Sequence, residues 1–264
     1  MNWNDYLYNN EEKPLDRLVD GYSNTAVFRK IAFVGDSLSS GEFETVKPDG
    51  TKGYHDLYEY SWGQYIARKN GLTAYNFSKG GMTAKAYMET FAESRGFWST
   101  ELACQAYVIA LGVNDVINRG MPVGSLEDID ENDYRSNKET FTGYYSQIVS
   151  RYKEISPDAK FFFVGLPKGS RPDKEELVAK TNEAIRALAE YTENAYYIDL
   201  YTFGPVYDEK FKEKFFLRGH MNPSGYIFTA KIIDSYIDYI VRNNPDDFRC
   251  VGFINSGIDY KNGI

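Results

Sequence analysis

The chain has 264 residues, of which 42% are hydrophobic, and this length suits one large domain or two small ones with a sizeable core. Its formal net charge of -8 and its pI near 5.0 give an acidic surface that repels phosphate backbones and anionic lipids. These properties argue against nucleic acid and membrane surfaces as partners.

The N-terminal segment MNWNDYLYNNEEKPLDR lacks the basic start and the apolar stretch of a signal peptide. No run of about 18 apolar residues predicts a membrane span. We therefore expect a cytoplasmic protein, unless a signal peptide was removed. The two cysteines, Cys104 and Cys250, indicate neither a disulfide scaffold nor a zinc cluster, and we expect no metal and no cofactor.

Five short runs rich in aromatic and branched residues predict buried strands. Their apolar residues are continuous rather than alternating, which is typical of a parallel sheet covered on both faces. The predicted strands are residues 30–35, 73–77, 106–111, 160–165 and 196–200.

Helical spacing of apolar residues occurs between these strands, most clearly over residues 141–155, 177–188 and 226–240. Asn222 followed by Pro223 predicts the start of the last helix. Strands that alternate with helices predict a doubly wound α/β domain with right-handed crossovers. We expect one domain over residues 1–264, with an N-terminal extension (1–27) and a C-terminal tail (244–264) packed on it.

Polar residues follow the predicted strands at the edge where open α/β sheets bind ligands. Ser37 follows the first strand, Gly81 the second and Asn114 the third. After the fifth strand, the segment LRGHMNPSG places His220 just ahead of the final helix. The sequence therefore brings a hydroxyl, a backbone amide, a carboxamide and an imidazole to one edge.

Acyl transfer from an ester requires these four groups. A serine hydroxyl is a weak nucleophile until a base takes its proton, and histidine, with an ordinary pKa near ~6.5, suits that role at neutral pH. Ser37 is therefore the candidate nucleophile and His220 the candidate base. The Gly81 amide and the Asn114 side-chain NH2 are candidate donors to the oxyanion of the tetrahedral intermediate.

Four sequence blocks occur in order along the chain: GDSLSSG at 35–41, NFSKGGMT at 76–83, GVND at 112–115, and the histidine before the last helix. Together they resemble the GDSL, or SGNH, hydrolases over about residues 30 to 243. The resemblance implies a three-layer α/β/α sandwich with a central five-stranded parallel sheet of flavodoxin-like type. It also implies metal-free hydrolysis of esters, and in some members of thioesters or amides.

Carried over to this chain, the resemblance implies Ser37 as nucleophile and His220 as base. The oxyanion donors are then Gly81, Asn114 and the Ser37 amide. The chain departs from the family pattern at Leu217, where the usual aspartate three residues before the histidine is missing. Replacing the corresponding acid of one protease lowers the rate ~10⁴-fold, so another group has to orient the imidazole. We expect a main-chain carbonyl close to Leu217, with Glu213, Asp208 and Asp199 as side-chain alternatives.

Other readings of these residues have less support. Ser37 alone could be a helix cap, and His55, the only other histidine, is expected in a loop. The motifs GxGxxG and GxxxxGK[ST] of phosphate-binding loops are absent, and so is the GxSxG elbow of α/β-hydrolases.

The sequence therefore predicts a serine esterase that cleaves a small, acetyl-type acyl ester, with a carbohydrate as a possible alcohol partner. Aromatic residues after the first strand, Tyr54, Tyr58, Tyr60 and Trp62, are candidates for a stacking wall. One alternative is an acyltransferase that delivers the acyl group to a sugar hydroxyl. The other, motivated by Leu217, is a catalytically weak binding protein of the same fold.

Overall fold

A computed structural model describes residues 11–258 of the chain. The strands in this range are β1 (Lys30–Gly35), β2 (Glu42–Val46), β3 (Lys52–Asp56), β4 (Thr73–Ser78), β5 (Ala106–Ala110), β6 (Lys160–Val164), β7 (Ala195–Ile198), β8 (Phe216–Leu217) and β9 (His220–Met221). Five of them form the central sheet in the order β4-β1-β5-β6-β7, and every neighbouring pair in it is parallel.

This order is the flavodoxin-like arrangement, in which the sheet changes direction of winding after β1. The five predicted strands are confirmed, with ends that differ by a few residues at most. The doubly wound α/β fold is confirmed as well, because the sheet is flanked by helices as in the three-layer hydrolase sandwich that the sequence predicts.

The longer helices are α1 (Trp62–Asn70), α2 (Phe141–Ile155), α3 (Glu175–Tyr191), α4 (Glu209–Phe215) and α5 (Pro223–Asn243). Shorter α-helical segments are Ser37–Ser40, Ala84–Ala86, Ala92–Ser94 and Pro245–Phe248, and π-helical turns span Tyr87–Phe91 and Val113–Asn118. The 3₁₀ turns are Asn24–Val27, Tyr58–Tyr60, Thr100–Leu102, Leu126–Asp128, Tyr134–Ser136, Pro172–Lys174 and Val251–Phe253.

Two hydrophobic clusters lie on opposite faces of the sheet. Phe161 and Phe163 of β6 point into one cluster with α2 and α3, whereas Phe162 points into the other with α1 and α5. All three side chains are fully buried. Consecutive strand residues point to opposite faces, so an uninterrupted apolar strand needs helices on both sides, and this requirement explains the three layers.

The start of α5 follows its sequence signals. The Asn222 side chain accepts a hydrogen bond of 2.8 Å from the Gly225 amide, and Pro223 occupies the first helical turn, where its missing N–H costs nothing. The helix α5 contacts β7 of the sheet and also β9, so it connects the short β8–β9 hairpin that precedes it to the body of the fold.

A second hairpin, made of β2 and β3, follows the short helix after β1. The sequence predicts only a loop in this region. Through β2, the hairpin contacts β8 and β9.

The described parts of both chain ends contact the body. Glu12 pairs with Arg242 of α5 at 2.7 Å, and Gln105 donates to the Val251 carbonyl at 2.6 Å. Residues 1–10 and 259–264 of the predicted extension and tail lie outside the described residues, and the division into one domain stays a prediction. Between residues 11 and 258, no helix combines the length and the apolar character that a membrane span requires.

Candidate active site

A cavity of about 570 Å³ opens at the carboxyl ends of the central strands. All four predicted site residues line it, namely Ser37, Gly81, Asn114 and His220. The fold therefore brings together side chains that are up to 183 residues apart in the sequence, between positions 37 and 220. Their catalytic roles stay predictions, because proximity alone assigns no chemistry.

Ser37 is the first residue of a short helix, Ser37–Ser40, that starts directly after β1. Asp36 caps this helix, since its carboxylate accepts a hydrogen bond of 3.1 Å from the Leu38 amide. The cap holds the turn in which Ser37 points to the cavity, and Ser37 itself is half-buried. Ser37 is therefore not the helix cap. Asp36 caps the helix, and the Ser37 hydroxyl remains available as a nucleophile.

Gly81 lies in the loop after β4 and has a φ of 71°, a left-handed conformation that favours glycine. Its neighbour Gly80 contacts the carboxylate of Glu42 so closely that a Cβ at position 80 would collide with it. Both glycines line the cavity, as Ser37 does.

Asn114 lies in the π-helical turn after β5, and its side-chain NH2 already has two acceptors. It donates to Oδ2 of Asp36 at 3.2 Å and to the carbonyl of Met82 at 3.1 Å. Its own carbonyl oxygen accepts from Asn118 at 2.9 Å, which fixes the orientation of the amide. An oxyanion would have to share or replace the long contact to Asp36.

His220 begins β9, in a hairpin whose turn contains only Arg218 and Gly219. Leu217 is its direct partner across this hairpin, and the Leu217 side chain is 46% exposed. The position of the usual aspartate is therefore adjacent to the imidazole, but here it carries a side chain that cannot accept a hydrogen bond.

Two carboxylates of β2 contact the imidazole instead. Nε2 of His220 lies 2.9 Å from Oε1 of Glu42, and Nδ1 lies 3.6 Å from Oε2 of Glu44. Alternate strand residues share one face, so the hairpin turns both acids towards His220. Within residues 11–258 no hydrogen bond joins the Ser37 hydroxyl to the His220 ring. Glu42, which contacts Nε2 of His220, lines the cavity together with both residues.

The ionisable groups around the cavity have shifted pKa values. Burial raises the pKa of Glu42 to about 7, helped by the negative charges of Asp56, Asp36 and Glu44. Burial also raises the pKa of Asp36 to about 6. Burial lowers the pKa of His220, although the nearby Glu44 opposes this effect. At neutral pH the imidazole is therefore largely neutral, as a general base has to be.

The acids that the sequence suggests as partners of His220 lie elsewhere. Asp208 caps α4 by accepting from the Phe211 amide at 2.8 Å, and Asp199 pairs with Arg186 at 2.6 Å. Glu213 is exposed on α4. None of these three acids lies within 4 Å of a ring nitrogen of His220; among the described residues only the acids of β2 do. The expected main-chain carbonyl close to Leu217 is not found either, because Nδ1 is buried and makes no hydrogen bond within residues 11–258.

Of the four aromatic candidates for a stacking wall, only Tyr54 lines the cavity. Its ring is 53% exposed and lies edge-on to the His220 imidazole, with centroids 5.8 Å apart. Trp62 is a core residue that packs edge-on against Phe33. His55 is exposed on β3 and contacts the Thr45 hydroxyl at 3.0 Å, away from the cavity.

Glu42 and Glu44 are the site residues that the sequence interpretation missed. A usable signal exists in hindsight: the acids alternate in EFETV, and KPDG at 47–50 has the composition of a tight turn before a second extended segment. This pattern is typical of a hairpin with one acidic face.

The family model for the GDSL-like lipase/acylhydrolase family matches residues 33–227, which is well over half of the chain. The chain belongs to this family. The resemblance that the sequence blocks indicate is thereby confirmed, and so is the enzyme class: GDSL-like acylhydrolases act on ester bonds, and the chain is an ester-hydrolysing enzyme of this family.

Solved structures share the fold of this GDSL-like acylhydrolase at low sequence identity. A family two carbohydrate esterase from Clostridium thermocellum in complex with cellohexaose has a TM-score of 0.55 and 16% identity, and covers 83% of this chain. A lipase/acylhydrolase from Enterococcus faecalis has a TM-score of 0.52 and 17% identity, covering 82% of this chain and 96% of its own.

Est24, a carbohydrate acetylesterase from Sinorhizobium meliloti, has a TM-score of 0.55 and 14% identity, and covers 80% of this chain and 99% of its own. The GDSL-like chain spans 65% of the Clostridium thermocellum esterase, slightly less than two thirds of that protein. No curated protein matches the chain in sequence.

Proposed function

We propose that the chain is a serine esterase that removes a small, acetyl-type acyl group from a carbohydrate through an acyl-enzyme intermediate. The observation that carries this proposal is that Ser37, Gly81, Asn114 and His220 line one cavity at the edge of the sheet. A nucleophile, a base and two oxyanion donors around one cavity suit acyl transfer and no other common reaction class.

In the proposed first step, Oγ of Ser37 attacks the ester carbonyl carbon and its proton passes to Nε2 of His220. The carbonyl oxygen becomes an oxyanion that the Gly81 amide, the Ser37 amide and the Asn114 side chain stabilise. The intermediate then collapses, and the leaving alcohol takes the proton from His220. In the second step, water attacks the carbonyl carbon of the acyl-enzyme while its proton passes to His220. The carboxylic acid is released, and the Ser37 oxygen regains a proton from His220.

A short acyl group suits a second, smaller cavity of about 70 Å³ that adjoins the first beside Leu38. Its lining is mainly apolar and includes Val113, Leu166, Leu200 and Met221. A volume this small accommodates an acetyl methyl or slightly more, but not a long chain. This supports the acetyl-type substrate over a lipid ester.

A carbohydrate suits the remaining walls of the large cavity. Tyr54 offers an exposed ring, and the same lining carries hydrogen-bonding groups of Asn118, Arg171 and Lys212. Ligand pockets commonly combine an aromatic surface with a few polar groups that fix the ligand's orientation, and a sugar ring with its hydroxyls suits such a lining. Carbohydrate esterases among the structural neighbours agree with this choice of alcohol.

The proposal is tested by covalent labelling and by pre-steady-state kinetics. We expect a fluorophosphonate to label Ser37, and 4-nitrophenyl acetate to give a burst of one equivalent of nitrophenol. Ser37→Ala should lose both, whereas Ser94→Ala, an exposed serine far along the chain, should keep both. If labelling succeeds but turnover stays slow until an alcohol is added, acyl transfer to a sugar hydroxyl is the better description.

A second candidate function is a binding protein of this fold with little turnover. One observation favours it: Nε2 of His220 contacts Glu42 rather than the Ser37 hydroxyl. Absence of label and burst in the folded wild-type protein, together with saturable binding of acetylated oligosaccharides, would support this function against the esterase.

A further inference from the structure

The Nδ1 side of the His220 ring is buried. Nδ1 has no solvent contact and makes no hydrogen bond among the described residues, and Oε2 of Glu44 lies 3.6 Å from it. This distance is slightly longer than a hydrogen bond. A buried ring nitrogen beside a buried carboxylate calls for an explanation.

We propose that Glu44, a residue of β2, is the positioning residue of the site. It orients the imidazole in place of the acid that related enzymes have at position 217. This inference rests on the proposed function. Glu44 touches no substrate and acts through His220: its carboxylate accepts the Nδ1 proton and so holds the ring with the Nε2 lone pair directed to the cavity.

Glu44 is itself held in place. Its side chain is only 3% exposed, Oε1 pairs with Lys52 at 2.7 Å, and Oε2 accepts from the Gly219 amide at 3.1 Å. The same oxygen faces Nδ1 of His220. One carboxylate thus ties the β2–β3 hairpin to the turn that carries the histidine, so the position of the ring depends on Glu44.

Glu42 is the other candidate, and its position excludes it from this role. It lines the cavity and contacts Nε2, the nitrogen that has to face the serine. Glu44 does not line the cavity. The two acids therefore lie on the two sides of the ring, and only Glu44 can hold it without blocking the reacting side.

Negative charge at Glu44 also sets the protonation behaviour of His220. The charged or titratable groups around the ring are Glu42 and Glu44 of β2, Lys52, Tyr54 and Asp56 of β3, and Arg218 of the turn. Lys52 holds the pKa of Glu44 below its usual value, so this acid is ionised at neutral pH. The anion favours a proton on Nδ1 and stabilises the imidazolium that forms during attack.

NMR of the imidazole tests the contact without any need for turnover. The chain has only two histidines, so the His55→Gln variant leaves His220 as the single ring signal. The ¹⁵N shifts of the neutral ring should show the proton on Nδ1, although histidine in water prefers it on Nε2. A neutral His220 ring protonated on Nε2 in the His55→Gln protein, in which Glu44 is intact, would overturn the proposal.

Glu44→Gln should then lower the pKa of His220 by about one pH unit or more, because a negative charge next to the ring is lost. Glu213→Gln, the same change on the exposed face of α4, should leave it unchanged. The amide oxygen of glutamine can still accept from Gly219, which preserves the hairpin. An unaltered pKa in a folded Glu44→Gln protein contradicts the role.

Kinetics tests the consequence for catalysis. Glu44→Gln should lower kcat by ~10²- to 10⁴-fold with little change in KM, and Glu44→Asp should retain a larger share of kcat because the charge remains. A kcat of Glu44→Gln within twofold of wild type overturns the proposal. Failure of the proposed function gives a different result. In that case the wild-type protein is not labelled at Ser37, but NMR still shows the proton of the neutral His220 ring on Nδ1.

Discussion

Nε2 of His220 lies 2.9 Å from Oε1 of Glu42, on the side of the ring where a nucleophile has to deliver its proton. Burial and three neighbouring acids raise the pKa of this carboxyl group to about 7. Below that pH the group carries a proton that it can donate to the Nε2 lone pair. The protonated Glu42 therefore competes with the Ser37 hydroxyl for the Nε2 lone pair of His220. Once Glu42 is ionised, it has no proton to donate and this competition ends.

We expect kcat/KM to rise with pH through about 7, where Glu42 loses its proton. In Glu42→Ala the remaining groups titrate at lower pH: burial keeps the pKa of His220 below its usual 6.5, and the pKa of Asp36 is about 6. The rising limb of the pH profile should therefore move to lower pH in this variant. The profile is measured with 4-nitrophenyl acetate under conditions of low substrate, which report the free enzyme.

Glu59→Ala is the control for the loss of an acid in the same region, since Glu59 is exposed and lies outside the cavity lining. Its profile should match that of wild type. A rising limb that stays in place in Glu42→Ala would mean that Glu42 does not compete for the base.

The Asn114 amide tests the oxyanion site. Asn114→Ala removes an oriented donor, which typically costs ~10²- to 10³-fold in kcat. KM should change little, because the donor acts mainly on the charge that develops in the transition state. Asn243→Ala, at the exposed end of α5, should have no effect. A change confined to KM would assign Asn114 to substrate binding.

The five central strands, and the convergence of Ser37, Gly81, Asn114 and His220 on one cavity, were predictable because each has a local signal. β6 is an unbroken apolar run, KFFFV, and Ser37, Gly81, Asn114 and His220 each follow a recognisable block. These signals lie within a few neighbouring residues, so no knowledge of long-range contacts is needed.

Glu42 and Glu44 were not predictable in the same way. Their function depends on contact with His220, more than 170 residues away, and on a hairpin formed by polar segments without a continuous apolar pattern. The missing acid at Leu217 shows that a replacement is needed, but only the packing of β2 against the β8–β9 hairpin shows where it comes from. The residue that orients the imidazole is therefore determined by a tertiary contact and cannot be recognised from a local sequence pattern.

Acyl-chain length tests the small cavity beside the site. Val113 lines both cavities, so Val113→Ala enlarges the space next to the reacting carbonyl. Wild type should prefer 4-nitrophenyl acetate to the hexanoate, and the ratio of the two kcat/KM values should fall in the variant. Val27→Ala, far from both cavities, should keep the wild-type ratio. An unchanged ratio in Val113→Ala would place the acyl group elsewhere.

Asp115 makes the stability of the fold depend on pH. It is fully buried, its Oδ1 accepts from the Ala84 amide at 2.7 Å, and burial raises its pKa to about 6. The folded protein thus binds this proton more tightly than the unfolded chain, whose carboxyl group has a pKa near 3.8. The contribution to stability is fully present below pH ~3.8 and is lost as the pH rises through about 6.

Asp115→Asn cannot ionise and should not show this loss. Between pH 4 and pH 7.5, the Tm of wild type should therefore fall relative to that of Asp115→Asn, as measured by calorimetry. Asp246→Asn, an exposed substitution in the C-terminal segment, should run parallel to wild type. If the Tm of Asp115→Asn also ran parallel to that of wild type across this pH range, Asp115 would have the same proton affinity in the folded and the unfolded state.

An acid restored at position 217 tests whether a carboxylate on β8 can orient the imidazole as well as Glu44 on β2 does. Leu217 pairs with His220 across the hairpin, and side chains of such partners lie ~5 Å apart. In the Glu44→Gln background, Leu217→Asp should raise kcat at least about tenfold, because the new carboxylate reaches the ring. Leu217→Asn in the same background supplies similar size without the charge and should not. Equal kcat values for the two double variants would show that the acid has to come from β2.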